Sequence, residues 1–190
     1  NISNTSIEDI SNLRYTTAIT ELDASGTKIS DISILGLYNH LTSLSLHGTD
    51  IEDISSLSNC SSMTYLDISD TKVSSIDSIT FPNSLRYLNI SNTGISNIET
   101  LENLDNLHVL IIDNTAVNDI TPVSKLLKIN ELQCRNTQID DITPLNNLKQ
   151  LVRIYCDNTG IDSKKAEAFT KLNNNSLVIY KTNALQEWWD

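Results

Sequence analysis

The feature that most constrains this chain is a period. Apolar residues stand at Ile19, Leu41, Met63, Leu85, Leu107, Ile129 and Leu151, each 22 positions after the last with no slip. Counting each unit from these residues, position 4 reads Leu22, Leu44, Leu66, Leu88, Leu110, Leu132 and Ile154, and position 6 reads Ala24, Leu46, Ile68, Ile90, Ile112, Cys134 and Cys156. Position 11 is Ile or Val from Ile29 to Ile161, position 14 is Ile from Ile32 to Ile142, and position 17 is Leu, Ile or Val from Leu35 to Leu145. Ile2, Thr5, Ile7, Ile10 and Leu13 fit the tail of a preceding unit. One such unit cannot bury its own apolar side, but stacked units share a continuous core, so the period predicts a solenoid. The array is expected over residues 1–162, as a partial first repeat followed by seven 22-residue repeats.

Within each unit, apolar and outward residues alternate around positions 4 and 6 as in a short strand, and successive strands would form a parallel sheet spaced ~4.8 Å apart. Position 15 reads Ser11, Ser33, Ser55, Asp77, Glu99, Thr121 and Thr143. Most of these are good helix N-caps, and Pro122 and Pro144 follow two of them. Each unit is therefore expected to return through a short helical or 3₁₀ segment. Position 9 is Thr in all eight occurrences, from Thr5 to Thr159. A hydroxyl both donates and accepts, so a Thr column can satisfy backbone groups of the turn that leaves each strand. The Gly or Asn before it (Gly26, Gly48, Asn92, Asn114, Asn136, Asn158) suits a positive φ. A catalytic Thr would not be needed in every unit, so this column reads as scaffold.

The segment "LHVLIIDNTAVNDITPVSKLLK", residues 107–128, resembles a leucine-rich repeat of the 22-residue kind found in bacterial internalins and in eukaryotic phosphatase-regulating repeat proteins. The resemblance implies an α/β fold: a right-handed solenoid with a curved parallel β-sheet on the concave face, short 3₁₀ or helical segments on the convex face, and a C-terminal cap. It also implies a binding module rather than an enzyme. One departure is Thr at position 9, where the family usually has Asn.

With 190 residues, 39% of them apolar and 19% charged, the chain is the size of one folded domain. Its formal charge of −11 argues against a nucleic-acid or anionic-membrane surface. No stretch approaches the roughly 20 apolar residues of a membrane span. The chain opens inside the repeating pattern without an initiator Met or signal peptide, and so reads as a trimmed or mature fragment.

Cys134 and Cys156 share position 6 with Leu and Ile and read as small buried hydrophobes; Cys60 falls in a return segment. His40, His47 and His108 occupy different repeat positions, which disfavours a metal site. Asp9, Asp31, Asp53, Asp119 and Asp141 recur at position 13. They are expected to meet turn amides or solvent, with stacked calcium ligation as the lesser alternative. No cofactor is expected.

A partner would meet positions 3 and 5, which lie between the buried leucines. Tyr65, Tyr87, Val109, Ile111 and Tyr155 make an apolar and aromatic strip there, joined by Arg135 and Arg153. Tyr and Arg are typical interface anchors. Position 7 supplies Asp113, Arg135 and Asp157 in successive units, an alternating column expected to act as a surface ion-pair ladder of small energetic worth.

After Ile161 the period fails, and residues 163–190 are expected to form a cap of helix, strand and short Trp-rich helix with Leu185, Trp188 and Trp189 inward. The reading is a protein-binding module of a bacterial secreted or cell-surface protein. The alternatives are an intracellular adaptor of the phosphatase-regulating type, and the recognition region of a larger enzyme or toxin. Carbohydrate ranks below protein as the partner.

Overall fold

The structure, a computed structural model, describes residues 1–16 and 18–181. The segments around positions 3 to 5 form three-residue strands: β1 Glu21–Asp23, β2 Ser43–Ser45, β3 Tyr65–Asp67, β4 Tyr87–Asn89, β5 Val109–Ile111, β6 Glu131–Gln133 and β7 Arg153–Tyr155. With β8, Leu177–Ile179, they make one 8-stranded sheet in chain order, every pair parallel. From β1 to β7 the partners are the period-related residues, Leu22 opposite Leu44 through to Leu132 opposite Ile154. Repeat register and sheet register are therefore one quantity. Residues 2 and 4 extend the ladder outward from β1, with the N–H groups of Ile2 and Asn4 donating to the carbonyls of Asp23 and Ser25.

Behind the sheet the apolar columns close on one another. Leu44, Leu66, Leu88, Leu110, Leu132 and Ile154 are all fully buried, as are Leu46, Ile68, Ile90 and Ile112 one pleat further on. Burying each such side chain contributes about 1.5–3 kcal/mol relative to exposure. That gain repeats in every coil.

The turn leaving each strand depends on two adjacent residues. Position 8 takes a positive φ of 54° to 66° at Asn4, Gly26, Gly48, Asp70, Asn92, Asn114, Asn136 and Asn158. Asp70 fits where the sequence suggested only Gly or Asn. The next residue, Thr, donates its hydroxyl to the carbonyl three residues back, at 2.6–2.7 Å in all eight cases. Six of these threonines, Thr27 to Thr137, are buried.

The chain returns through 3₁₀ segments at Ser11–Tyr15, Ser33–Leu37, Ser55–Asn59, Glu99–Asn103, Thr121–Lys125 and Thr143–Asn147. Two expectations need correction here. The position-15 residues are not the caps: they are the first residues of these segments, and the Ile before each makes no side-chain cap bond. The side chain at position 13 accepts the position-15 N–H instead, as Asp31 does from Ser33 (2.8 Å), Asp53 from Ser55 (2.8 Å) and Asp141 from Thr143 (2.8 Å). An Asx side chain reaches a backbone donor two residues ahead, which fits the tight entry of a 3₁₀ turn. Nor does every unit contain such a segment. Where Ser75 replaces Asp or Asn at position 13, the Asp77 N–H meets the Ser75 hydroxyl at 3.1 Å, and residues 76–80 form only a turn.

After the last repeat comes α1, Ser163–Leu172, whose N-cap Asp162 accepts from the Lys165 N–H at 2.8 Å. Ala166 and Phe169 are its buried residues. The Ser176 hydroxyl donates to the Leu151 carbonyl at 2.6 Å and leads the chain into β8. The Trp-rich helix expected around Leu185, Trp188 and Trp189 lies outside the described residues.

Candidate interaction face

A strand alternates its side chains between two faces, so the residues beside the buried leucines must point away from the core. The sheet therefore presents two period-related rows: Glu21, Ser43, Tyr65, Tyr87, Val109, Glu131, Arg153 and Asp23, Ser45, Asp67, Asn89, Ile111, Gln133, Tyr155. The structure thus brings six of the seven expected residues onto one face of the sheet, four on the adjacent strands β3–β5 and two on β7, with Glu131 and Gln133 of β6 between them, and Arg135 follows β6 at position 7. Five of the six, Tyr65, Tyr87, Val109, Ile111 and Tyr155, are half-buried; Arg153 is exposed.

Tyr65 and Tyr87 stack with ring centroids 4.5 Å apart and planes 8° from parallel. Strand spacing sets this distance: equivalent side chains one strand apart can lie face against face. Burial raises the phenol pKa of both, most at Tyr87, with the neighbouring Asp67 charge adding to it. Val109 and Ile111 on β5 continue the apolar surface.

The later coils are built differently. Arg135 donates to Asp113 at 2.7 Å and to Gln133 at 2.7 Å, approaches Asp157 at 3.5 Å, and lies 4.4 Å from the centroid of the Tyr155 ring. Gln133 donates in turn to Glu131 (2.6 Å), which pairs with Arg153 (2.6 Å). The expectation of a ladder lying at the surface is corrected by burial. The Asp113 and Asp157 side chains are only 14% and 9% exposed. Their attraction to Arg135 is screened by salt less than that of surface ions, and the cost of withdrawing the charges from water offsets part of it. Glu131 and Gln133 were missed as members of this network, although opposite charges 22 residues apart at position 3 were the available signal.

Other candidates resolve into structure. Cys60, Cys134 and Cys156 are buried free thiols. Burial pushes the Cys60 thiol up to about 11 and Cys156 up to about 12, and holds Cys134 well above its ordinary value. His47 Nδ1 lies 2.9 Å from the Ser69 hydroxyl and His108 Nδ1 lies 2.6 Å from the Asn106 carbonyl, while His40 is exposed. The position-13 carboxylates are occupied by amides of their own turns. Among the described residues no group of three or more His, Cys, Asp or Glu side chains is placed to hold a metal, and no helix is long and apolar enough to cross a membrane.

Comparison with known proteins agrees with this geometry. The family described as Leucine Rich repeats (2 copies) matches residues 39–80. The structure of internalin C2 from Listeria monocytogenes superposes with a TM-score of 0.87 at 27% identity, covering 94% of this chain and 78% of that one. Internalin F from the same organism gives 0.73 at 26% identity, covering 92% and 57%. A leucine-rich-repeat protein of Leptospira interrogans shares the fold with a TM-score of 0.70 at 17% identity, over 91% and 52%. This chain thus spans little more than half the length of the latter two. No curated protein sequence matches it. The fold is that of a leucine-rich-repeat solenoid of the internalin-like class. Solenoids of this class commonly mediate protein–protein recognition and are typically non-catalytic.

Proposed function

We propose that this chain is a non-catalytic recognition module that binds a protein partner on its strand face, through the strip of Tyr65, Tyr87, Val109, Ile111 and Tyr155. The observation that carries the proposal is the stacked tyrosine pair running into β-branched residues on adjacent strands. Solvation alone would favour polar side chains there, whereas aromatic anchors on a rigid sheet are the usual currency of protein interfaces. The ion network around Arg135 holds Tyr155 in place and so pre-orders the far end of the strip. A bacterial secreted or cell-surface protein is the setting we favour, supported by the likeness to internalin C2 of Listeria monocytogenes and by the acidic composition. The three free thiols favour a second reading, an intracellular adaptor.

Replacing Tyr65, Tyr87 and Tyr155 together by Ser tests the strip. The variant should fold, since none of the three is buried in the core, and should capture the partner found in an interaction screen at least about tenfold more weakly, the loss of one or more hot-spot residues. Undiminished capture by a folded variant would overturn the assignment.

A further inference from the structure

Two stacked rings have two outer faces, and here they meet different surroundings. The outer face of Tyr87 is turned toward β5, where Val109 stands in register. The outer face of Tyr65 is turned toward β2, where the register partner is Ser43 and the next outward residue is Ser45. Two small side chains side by side leave a notch one strand wide. One wall is the outer face of Tyr65, on which no second ring and no cation is stacked among the described residues. The other is β1, with Glu21 opposite Ser43 and Asp23 opposite Ser45. Asp67 follows two residues after Tyr65, on the same face of β3.

Charge separates this notch from the rest of the face. In the later coils the carboxylates of Asp113, Glu131 and Asp157 each meet an arginine. In the early coils Asp23 and Asp67 are held by neutral donors alone: Ser25 and Asn1 on Asp23, Ser69 and Asn89 on Asp67. Among the described residues neither they nor Glu21 form an ion pair, and no cation stands over Tyr65, whereas Arg135 covers Tyr155. The chain therefore completes the aromatic–carboxylate arrangement with its own arginine at one end and leaves it incomplete at the other.

We infer that the Ser43/Ser45 notch is a docking site for a lysine or arginine side chain of the partner protein. The aliphatic stem lies over the two serines, the cation lies against the outer face of Tyr65, and Asp23 and Asp67 receive its N–H groups. Both contacts favour a cation over any neutral group. The acidic field of the chain draws such a segment in. A sugar ring would also stack on Tyr65 but would leave the three carboxylates uncompensated. The inference rests on the strand face being the interface.

The test uses isotope-labelled protein titrated with the peptide Ac-Gly-Gly-Arg-Gly-Gly-NH₂, its Gln counterpart and methyl β-glucoside, followed by amide chemical shifts. The arginine peptide should give saturable shifts confined to Glu21–Asp23, Ser43–Ser45 and Tyr65–Asp67, weakened by salt, and the other two probes should not. Asp67→Asn should weaken this binding about two- to fivefold, the upper range of an exposed ion pair. Ser43→Tyr should abolish it, because a third ring covers the free face, and position 3 already holds Tyr in the next two coils. The proposal fails if no saturable shift occurs, if the Gln peptide or the glucoside binds equally well, or if both variants bind as the parent does. Failure here is distinct from failure of the strip. A partner lost by the triple Ser variant but retained by Ser43→Tyr would overturn the notch and leave the interface standing.

Discussion

Thr93 illustrates what a single residue contributes in this architecture. Its hydroxyl meets the Ile90 carbonyl at 2.6 Å, and only 8% of the residue is exposed. Valine has nearly the same shape but no donor, so Thr93→Val would bury a carbonyl stripped of its hydroxyl. The cost should be about 1–3 kcal/mol, the range for a buried polar group left unsatisfied. Urea unfolding reads this as a lower midpoint at unchanged slope, and an unmoved midpoint would show the hydroxyl to be dispensable. The role of this residue was legible in the sequence because it recurs in every unit. The role of Arg135 was only half legible: its charge partners follow from the period, but the depth at which Asp113 and Asp157 sit depends on side-chain packing that spacing does not encode.

At the scale of the element, the 3₁₀ returns tie stability to pH. In Asp31 and Asp53 the N–H two residues ahead, helped by the Ser side chain, lowers the carboxyl pKa; in Asp119 the Thr121 side chain leads and its N–H follows. A pKa depressed by folding means that the stabilisation is present above the unfolded-state value and is lost as pH falls through the folded value. Asn97 makes the same bond to the Glu99 N–H at 2.9 Å without a titrating group. Replacing Asp31, Asp53 and Asp119 by Asn should therefore leave stability near its parent value at neutral pH and flatten the acid limb of the stability profile. Urea midpoints measured down through the carboxylate range check this, and an acid limb as steep as the parent's would refute it. The strands were legible because period 2 within period 22 admits few alternatives. The caps were not, because Ser and Thr at position 15 carry the composition of an N-cap while the capping group lies two residues earlier. The unit with Ser75 departs for the same reason: its capping residue has changed at position 13, while position 15 keeps the cap-like Asp77.

At the scale of the whole molecule, each coil touches mainly its neighbours, so stability is close to a sum over coils and the interfaces between them. Deleting residues 93–114 removes one 22-residue unit and leaves Asn92 followed by Thr115, the same Asn-Thr pair found at Asn4, Asn136 and Asn158. The shortened chain should fold, unfold cooperatively, and show a smaller urea dependence in rough proportion to the surface removed. A product without native-like circular dichroism would contradict nearest-neighbour stacking. The strand face was legible as a list of residues, but not as two chemically distinct halves, because stacking of Tyr65 on Tyr87 and bridging by Gln133 are facts of side-chain conformation. The buried thiols carry a practical consequence. Alkylating reagents attack thiolates, and Cys60, Cys134 and Cys156 offer neither ionisation nor access while their coils stay closed. A cysteine engineered at an outward strand position would thus be labelled alone, without removing the native three, and any reaction of the native three would count the molecules in which the stack had parted.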